Sequence, residues 1–149
     1  MPNAEHEKVV GHWFDDLFTR GDLEAVNSLV SPDFVAHGQG GMEDTHGREN
    51  FSEWLRWYTS AFTEREWVVH DVISEGEKAV ARYSGWATYR GGLLGIPSEG
   101  QRVLETGILI LRVRDGLVRE IWSEMSDLQL VMQLGASPQT GKDEGGAGP

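Results

Sequence analysis

The chain of 149 residues has no cysteine, which excludes disulfides, thiolate nucleophiles and zinc–thiolate sites. Its fold must be held by a core. Cations are scarce, with 13 Lys plus Arg set against 24 Asp plus Glu and a formal charge of −11. Phosphate binding needs a basic face, so no nucleic acid is expected as a partner, and the same balance disfavours an anionic membrane surface. No stretch approaches the ~20 apolar residues that span a bilayer, and no basic segment followed by an apolar run opens the sequence. No membrane partner is expected, and a cytoplasmic location is the default. The histidines show neither HxxxH nor HxH spacing, so no metal site is predicted. GxSxG, P-loop and GxGxxG patterns are missing as well, so no cofactor is expected.

What is present is one domain of ordinary composition, 39% hydrophobic and 25% charged, large enough to bury a core. Val9, Val10, Trp13, Phe14, Leu17 and Phe18 recur at helical spacing and predict an amphipathic helix over 5–20, ended by Gly21. A second helix is expected over 23–30, stopped by Ser31-Pro32-Asp33, then a brief strand 34–37 and a glycine-rich loop 38–47. Phe51, Trp54, Leu55, Tyr58, Ala61 and Phe62 mark a third, strongly aromatic helix. Strands are expected over 67–73 and 79–89, joined at Glu75-Gly76 and followed by a Gly/Pro-rich loop 90–100.

The clearest pattern comes last. Residues 105–113 and 117–125 alternate on either side of Asp115-Gly116, a strong hairpin signal. Both faces of the first of these strands are apolar, which predicts a central strand covered on both sides. The domain is taken as 1–136, and 137–149, poor in apolar residues, is expected to be a disordered tail. Three helices and one short strand before a run of four antiparallel strands make an α+β fold, with one curved sheet wrapping helices around a pocket.

Several segments together resemble the SnoaL-like polyketide cyclases of the nuclear transport factor 2 superfamily. They are Asn27 to His37, Ala61-Phe62, Val69 to Glu77, Val80-Ala81-Arg82, Gly95-Ile96-Pro97, Arg114-Asp115-Gly116 to Trp122, and Gln133-Leu134-Gly135. The resemblance runs collinearly over roughly residues 8–136. It implies a cystatin-like cone, three helices on a curved, mostly antiparallel sheet enclosing a pocket, often as a homodimer, acting without cofactor on polyketide or related intermediates. The acid, amide and imidazole of the aldol-type members fall here on Ser123, Gly107 and Leu109, so ring closure by that arrangement is not expected.

The chemistry is therefore sought in other groups of the same pocket. Period two turns Glu105, Gly107 and Leu109 inward on one strand, and Ser123, Met125 and Asp127 inward on the next. A carboxylate walled by Leu109, Met125 and aromatic rings has its charged form disfavoured, while a second in a wetter place stays ionised; such a pair can give and take protons at neutral pH. Asp127 and Glu105 are the proposed acid–base pair. The structural alternatives are a pairing of Glu105 with Arg102 and a helix cap by Asp127. His37 at the mouth of the glycine loop could shuttle a proton, and Tyr89 could donate to a developing oxyanion. The substrate-binding set is Arg82, Trp122, Leu109, Met125, Ser123 and Tyr58, with Arg82 inward against Glu105 or a substrate carboxylate.

The expected activity is cofactor-independent cyclisation or isomerisation of a polyketide-like small molecule by general acid–base catalysis. Two alternatives stand beside it: epoxide hydrolysis by the same carboxylates, and a non-catalytic ligand-binding module.

Overall fold

The computed structural model describes residues 3–135; the expected disordered tail at 137–149 lies outside them. Asn3 caps the first helix, its Oδ1 accepting from the amides of Glu5 and His6, and α1 runs Ala4–His12. The expected single helix then changes gauge. Trp13–Thr19 winds as a π-helix, with the Arg20 amide donating to the Asp15 carbonyl five residues back. The wider turn narrows the arc over which Trp13, Phe14 and Phe18 project, and all three line one wall of the same cavity.

The second helix is shorter than expected, α2 at Ala25–Leu29, because β1 (Val30–Ala36) already begins at Val30. A two-residue strand, β2 (Thr45–His46), precedes α3 (Arg48–Ala61). Four long strands follow: β3 (Phe62–Glu75), β4 (Lys78–Tyr89), β5 (Arg102–Arg114) and β6 (Leu117–Met125). A fourth helix, α4 (Asp127–Gln133), closes the described chain. The order across the sheet is β2-β1-β6-β5-β4-β3. All neighbours are antiparallel except β1 and β6.

The hairpin of β5 and β6 turns at Asp115 and Gly116, both with positive φ (55° and 73°), as a two-residue turn matched to strand twist demands. Register shifts in β3, between β1 and β6, and near the β5–β6 turn bend the sheet, since each bulge adds local twist and curvature. Its concave face packs on α1, the π-helix and α3, burying Trp13, Phe14, Leu17, Phe34, Phe51, Leu55 and Leu111.

The two sides of the sheet differ. Period two sends Ala79, Ala81, Tyr83 and Gly85 of β4 inward, and Val80, Arg82, Ser84 and Trp86 outward. β5 is central as expected, but covered on one side only: Ile108 on the outer side is 49% exposed.

Candidate active site

The inner sheet face builds the site row by row. Trp67, Gly85 and Glu105 are cross-strand neighbours on β3, β4 and β5; Tyr83, Gly107 and Met125 form the next row, and Ala81, Leu109 and Ser123 the one after. The two glycines are there for close approach. A Cβ at Gly85 would overlap the Trp67 ring, and one at Gly107 the Tyr83 hydroxyl. With no side chain at either place, two aromatic side chains lie down across the sheet beside Glu105.

Glu105 is only 8% exposed, and its Oε2 has no hydrogen-bond partner among the described residues. Burial pushes its carboxyl up to about 8, helped by the nearby Asp127 carboxyl, whose charge disfavours the ionised form. Glu105 is thus a neutral acid at neutral pH. Burial, reinforced by the Glu105 charge, likewise raises the hydroxyls of Tyr58 and Tyr83 far above the ordinary phenol value. Both phenols stay protonated beside it.

Asp127 is brought there by α4, which is stitched to β5 on both sides of Glu105. The Ser126 amide donates to the Thr106 carbonyl and the Thr106 amide to Ser126 Oγ, each at 3.0 Å. The Gln133 side chain pairs with both backbone groups of Leu104, each at 2.8 Å, while Gln101 Nε2 donates to the Leu134 carbonyl. Four of these bonds bracket the Glu105 carboxyl. Neither structural alternative is realised: no side chain caps α4, and Arg102 turns to the Glu64 carbonyl and Thr88 Oγ1.

In front of the pair lies a cavity of about 280 Å³. Its walls are aromatic, from Trp13, Phe14 and Phe18 of the π-helix, Phe51 and Trp54 of α3, and Trp67 and Tyr83 of the sheet; Leu109, Ile121, Ser123, Met125 and Asp127 form its floor and one end. The other, open end is lined by His37, Gly38, Gln39, Met42, Glu43 and Thr45. His37 follows β1, as expected. Its Nε2 lies 2.7 Å from Glu120 Oε2 and its Nδ1 3.4 Å from Asp44 Oδ2, and its ring stacks on Trp122 at 4.8 Å. The Gly38 amide donates to Asp44 Oδ1, so the glycine loop is folded back onto its own root.

Of the residues singled out in the sequence, the structure gathers Asp127, Leu109, Met125, Ser123 and His37 on the cavity wall, with Glu105 beside Asp127 where β6 runs out alongside β5. Four others are placed elsewhere. Arg82 alternates outward and pairs with Asp71 Oδ2 at 2.6 Å, both side chains 56% exposed; an ion pair in water avoids the desolvation an inward guanidinium would suffer. Tyr89 is fully buried at the end of β4, and its hydroxyl donates to the Ile96 carbonyl and accepts from the Leu93 amide. It secures the 90–100 loop. Trp122 faces outward between Ile121 and Ser123, under Lys78 Nζ at 5.1 Å, and reaches the site only through His37. Tyr58 stacks on Trp54 and is off the cavity wall, though its hydroxyl feels Glu105.

Several site residues are not legible from local pattern. Tyr83 and Trp67 read simply as strand residues, and the signal for them is the glycine opposite each on the neighbouring strand. The π-helical aromatics read as ordinary core, and Gln133 as a surface amide near the end of the domain.

A sequence profile described as SnoaL-like polyketide cyclase matches residues 8–134. No curated protein sequence matches the chain. Among solved structures, TsrD from Streptomyces laurentii is 28% identical, with a TM-score of 0.80 over 92% of this chain and 99% of its own. A Jannaschia sp. CCS1 protein assigned to the SnoaL-like polyketide cyclases is 22% identical, TM-score 0.80, over 90% and 94%. An LEH-like epoxide hydrolase of M. tuberculosis is 15% identical, TM-score 0.69, over 87% and 89%. The latter two share the fold.

Proposed function

The chain belongs to the SnoaL-like polyketide cyclase family, and on that premise we propose that it is a cofactor-independent cyclase or isomerase in which Asp127 and Glu105 do the acid–base work. The family and its neighbours support cyclase activity in general. The observation that carries the finer reading is the carboxyl pair itself: Glu105 buried and holding its proton to about pH 8, with Asp127 beside it lining an aromatic cavity. A buried carboxyl that keeps its proton beside a second carboxyl can donate to one substrate atom while the second accepts from another. Asp127 touches substrate; Glu105 supplies the proton Asp127 passes on, and the Tyr83 hydroxyl orients the substrate oxygen. His37, fixed between two carboxylates, lines the entrance.

The first test is turnover of a panel of cyclisable polyketide-type intermediates, read by chromatography. Asp127→Asn should lower kcat by ~10²–10⁴-fold with the melting temperature nearly unchanged. The rate should also fall as pH rises through about 8, where Glu105 loses its proton. Full activity of Asp127→Asn would remove it from the chemistry, and a flat profile through pH 8 would remove Glu105.

A second reading is favoured by the same neutral acid, which could protonate an epoxide oxygen while Asp127 activates water. Product mass separates the two, because a hydrolase adds one water to its substrate and an isomerising cyclase does not. Should the native protein turn over neither class, a ligand-binding role remains.

The outer sheet face supports a homodimer as the working form. Val68, Trp86 and Ile108 are 41–51% exposed there, on strands adjacent in the sheet.

A further inference from the structure

The charge of the cavity is one-sided. Among its described lining residues there is no Lys or Arg, while Asp127 and Glu43 bring carboxylates. His37 is the one lining side chain that could be cationic, and both its ring nitrogens already face carboxylates, Glu120 and Asp44. Arg112, the nearest guanidinium to that cluster, is held by Glu120 at 2.5 Å and Glu77 at 3.5 Å. Among the described residues, no Lys or Arg lines the cavity.

The walls add apolar aromatic surface from Trp13, Trp54 and Trp67, with ring faces of Trp13 and Trp54 stacked on Phe51 and Tyr58, and such surface offers an anion no compensating charge. Ser123 and the Tyr83 hydroxyl can orient a neutral carbonyl. An anion, by contrast, would sit beside the exposed carboxylates of Asp127 and Glu43, whose like charge disfavours it with no cation in the lining to offset them. The volume, about 280 Å³, is close to the ~300 Å³ lower limit of ordinary small-molecule sites, which suits a compact ring system over a long chain.

We infer that this cavity takes compact ring compounds that are uncharged or positively charged, such as those bearing a basic nitrogen, and rejects their anionic isosteres. The inference deepens the proposed function and shares with it only the premise that this cavity is the substrate site. A substrate delivered as a free acid or phosphate ester would be refused. Its acid must first be esterified, amidated or removed by a preceding reaction of that class.

Calorimetric titration with three isosteres of one two-ring shape tests this without turnover: phenylpiperidine as the ammonium, phenylcyclohexanol as the neutral form and phenylcyclohexane carboxylate as the anion. The ammonium should bind at least tenfold more tightly than the carboxylate, with the alcohol between. Repeating the series near 1 M salt, where the Debye length is ~3 Å, suppresses the pull of the net charge of −11 and should leave most of the preference. Asp127→Asn with Glu43→Gln should bring the ammonium and carboxylate within about threefold of each other. Equal or tighter binding of the carboxylate, failure of all three probes to bind, loss of the preference in salt, or its survival in the double variant would each overturn the inference. None of those results bears on whether Asp127→Asn abolishes turnover, so the two readings fail separately.

Discussion

At the scale of single residues, the site is a consequence of what stands opposite what. Gly85 and Gly107 flank Glu105 on the inner face, and their missing side chains admit Trp67 and Tyr83. Those rings in turn strip water from the carboxyl. A group whose proton is held more firmly folded than unfolded destabilises the fold as pH rises. Here the folded carboxyl titrates near 8 and the free one near 4.5. Below 4.5 both states are protonated and nothing is lost; between 4.5 and 8 the unfolded chain releases its proton first, so stability declines, and above 8 the full penalty applies. Glu105→Gln removes that penalty at nearly constant shape. Its melting temperature should exceed the native value at pH 8 and converge on it by pH 4, as scanning calorimetry across that range would read. A constant offset at every pH would mean that Glu105 does not carry the buried proton.

At the scale of elements, two pieces aim the site, and they differ in how visible they are in the sequence. The β5–β6 hairpin is written in period two and the Asp115-Gly116 turn, so the inward set of Glu105, Gly107, Leu109, Ser123 and Met125 can be read directly. Arg82 obeys the same alternation. Its outward position follows once Ala81 and Tyr83 are recognised as the buried pair, but an arginine in an apolar stretch invites an inward assignment. The π-helix is hidden, because Trp13, Phe14, Leu17 and Phe18 satisfy an α-helical stripe equally well. Its wider gauge is fixed by tertiary bonds, where Arg65 donates to the carbonyls of Phe18 and Thr19 and to those of Thr59 and Phe62. The contacts to Phe18 and Thr19 span 47 and 46 residues of sequence, beyond any local pattern. The same holds for α4, which is fixed by side chains reaching back some thirty residues. Gln133→Ala would remove both hydrogen bonds to Leu104 and leave those backbone groups to water at the exposed edge. The expected cost is ~1–2 kcal/mol of stability together with a lower kcat. A larger effect on kcat than on KM would mark Gln133 as positioning Asp127, and rescue by Gln133→Asn is not expected, because the shorter amide cannot reach both groups. Normal kcat in Gln133→Ala would leave α4 a purely structural role.

At the scale of the whole molecule, the expected two-sided cover of β5 is met on one side by helices and left open on the other. Residues 108 and 110 are both isoleucine, and period two sends both outward, so the sequence rightly signals apolar faces while being silent about what covers the second. A second copy would bury Val68, Trp86 and Ile108 against their own equivalents, as a two-fold contact requires. Net charge opposes it: each chain carries −11, and two such bodies repel until salt screens them. A dimer held by an apolar face against long-range repulsion should tighten with ionic strength, opposite to one held by ion pairs. Light scattering should give about twice 16.6 kDa for the native protein, with dissociation at low salt on dilution. Ile108→Glu places a charge at that face and should yield monomer at every salt concentration. Because Ile108 points away from the cavity, the monomer should keep the ligand preference of the native protein. A native protein that is monomeric in high salt would leave the apolar face to some other partner, and an Ile108→Glu variant that stays dimeric would place the contact elsewhere on the surface.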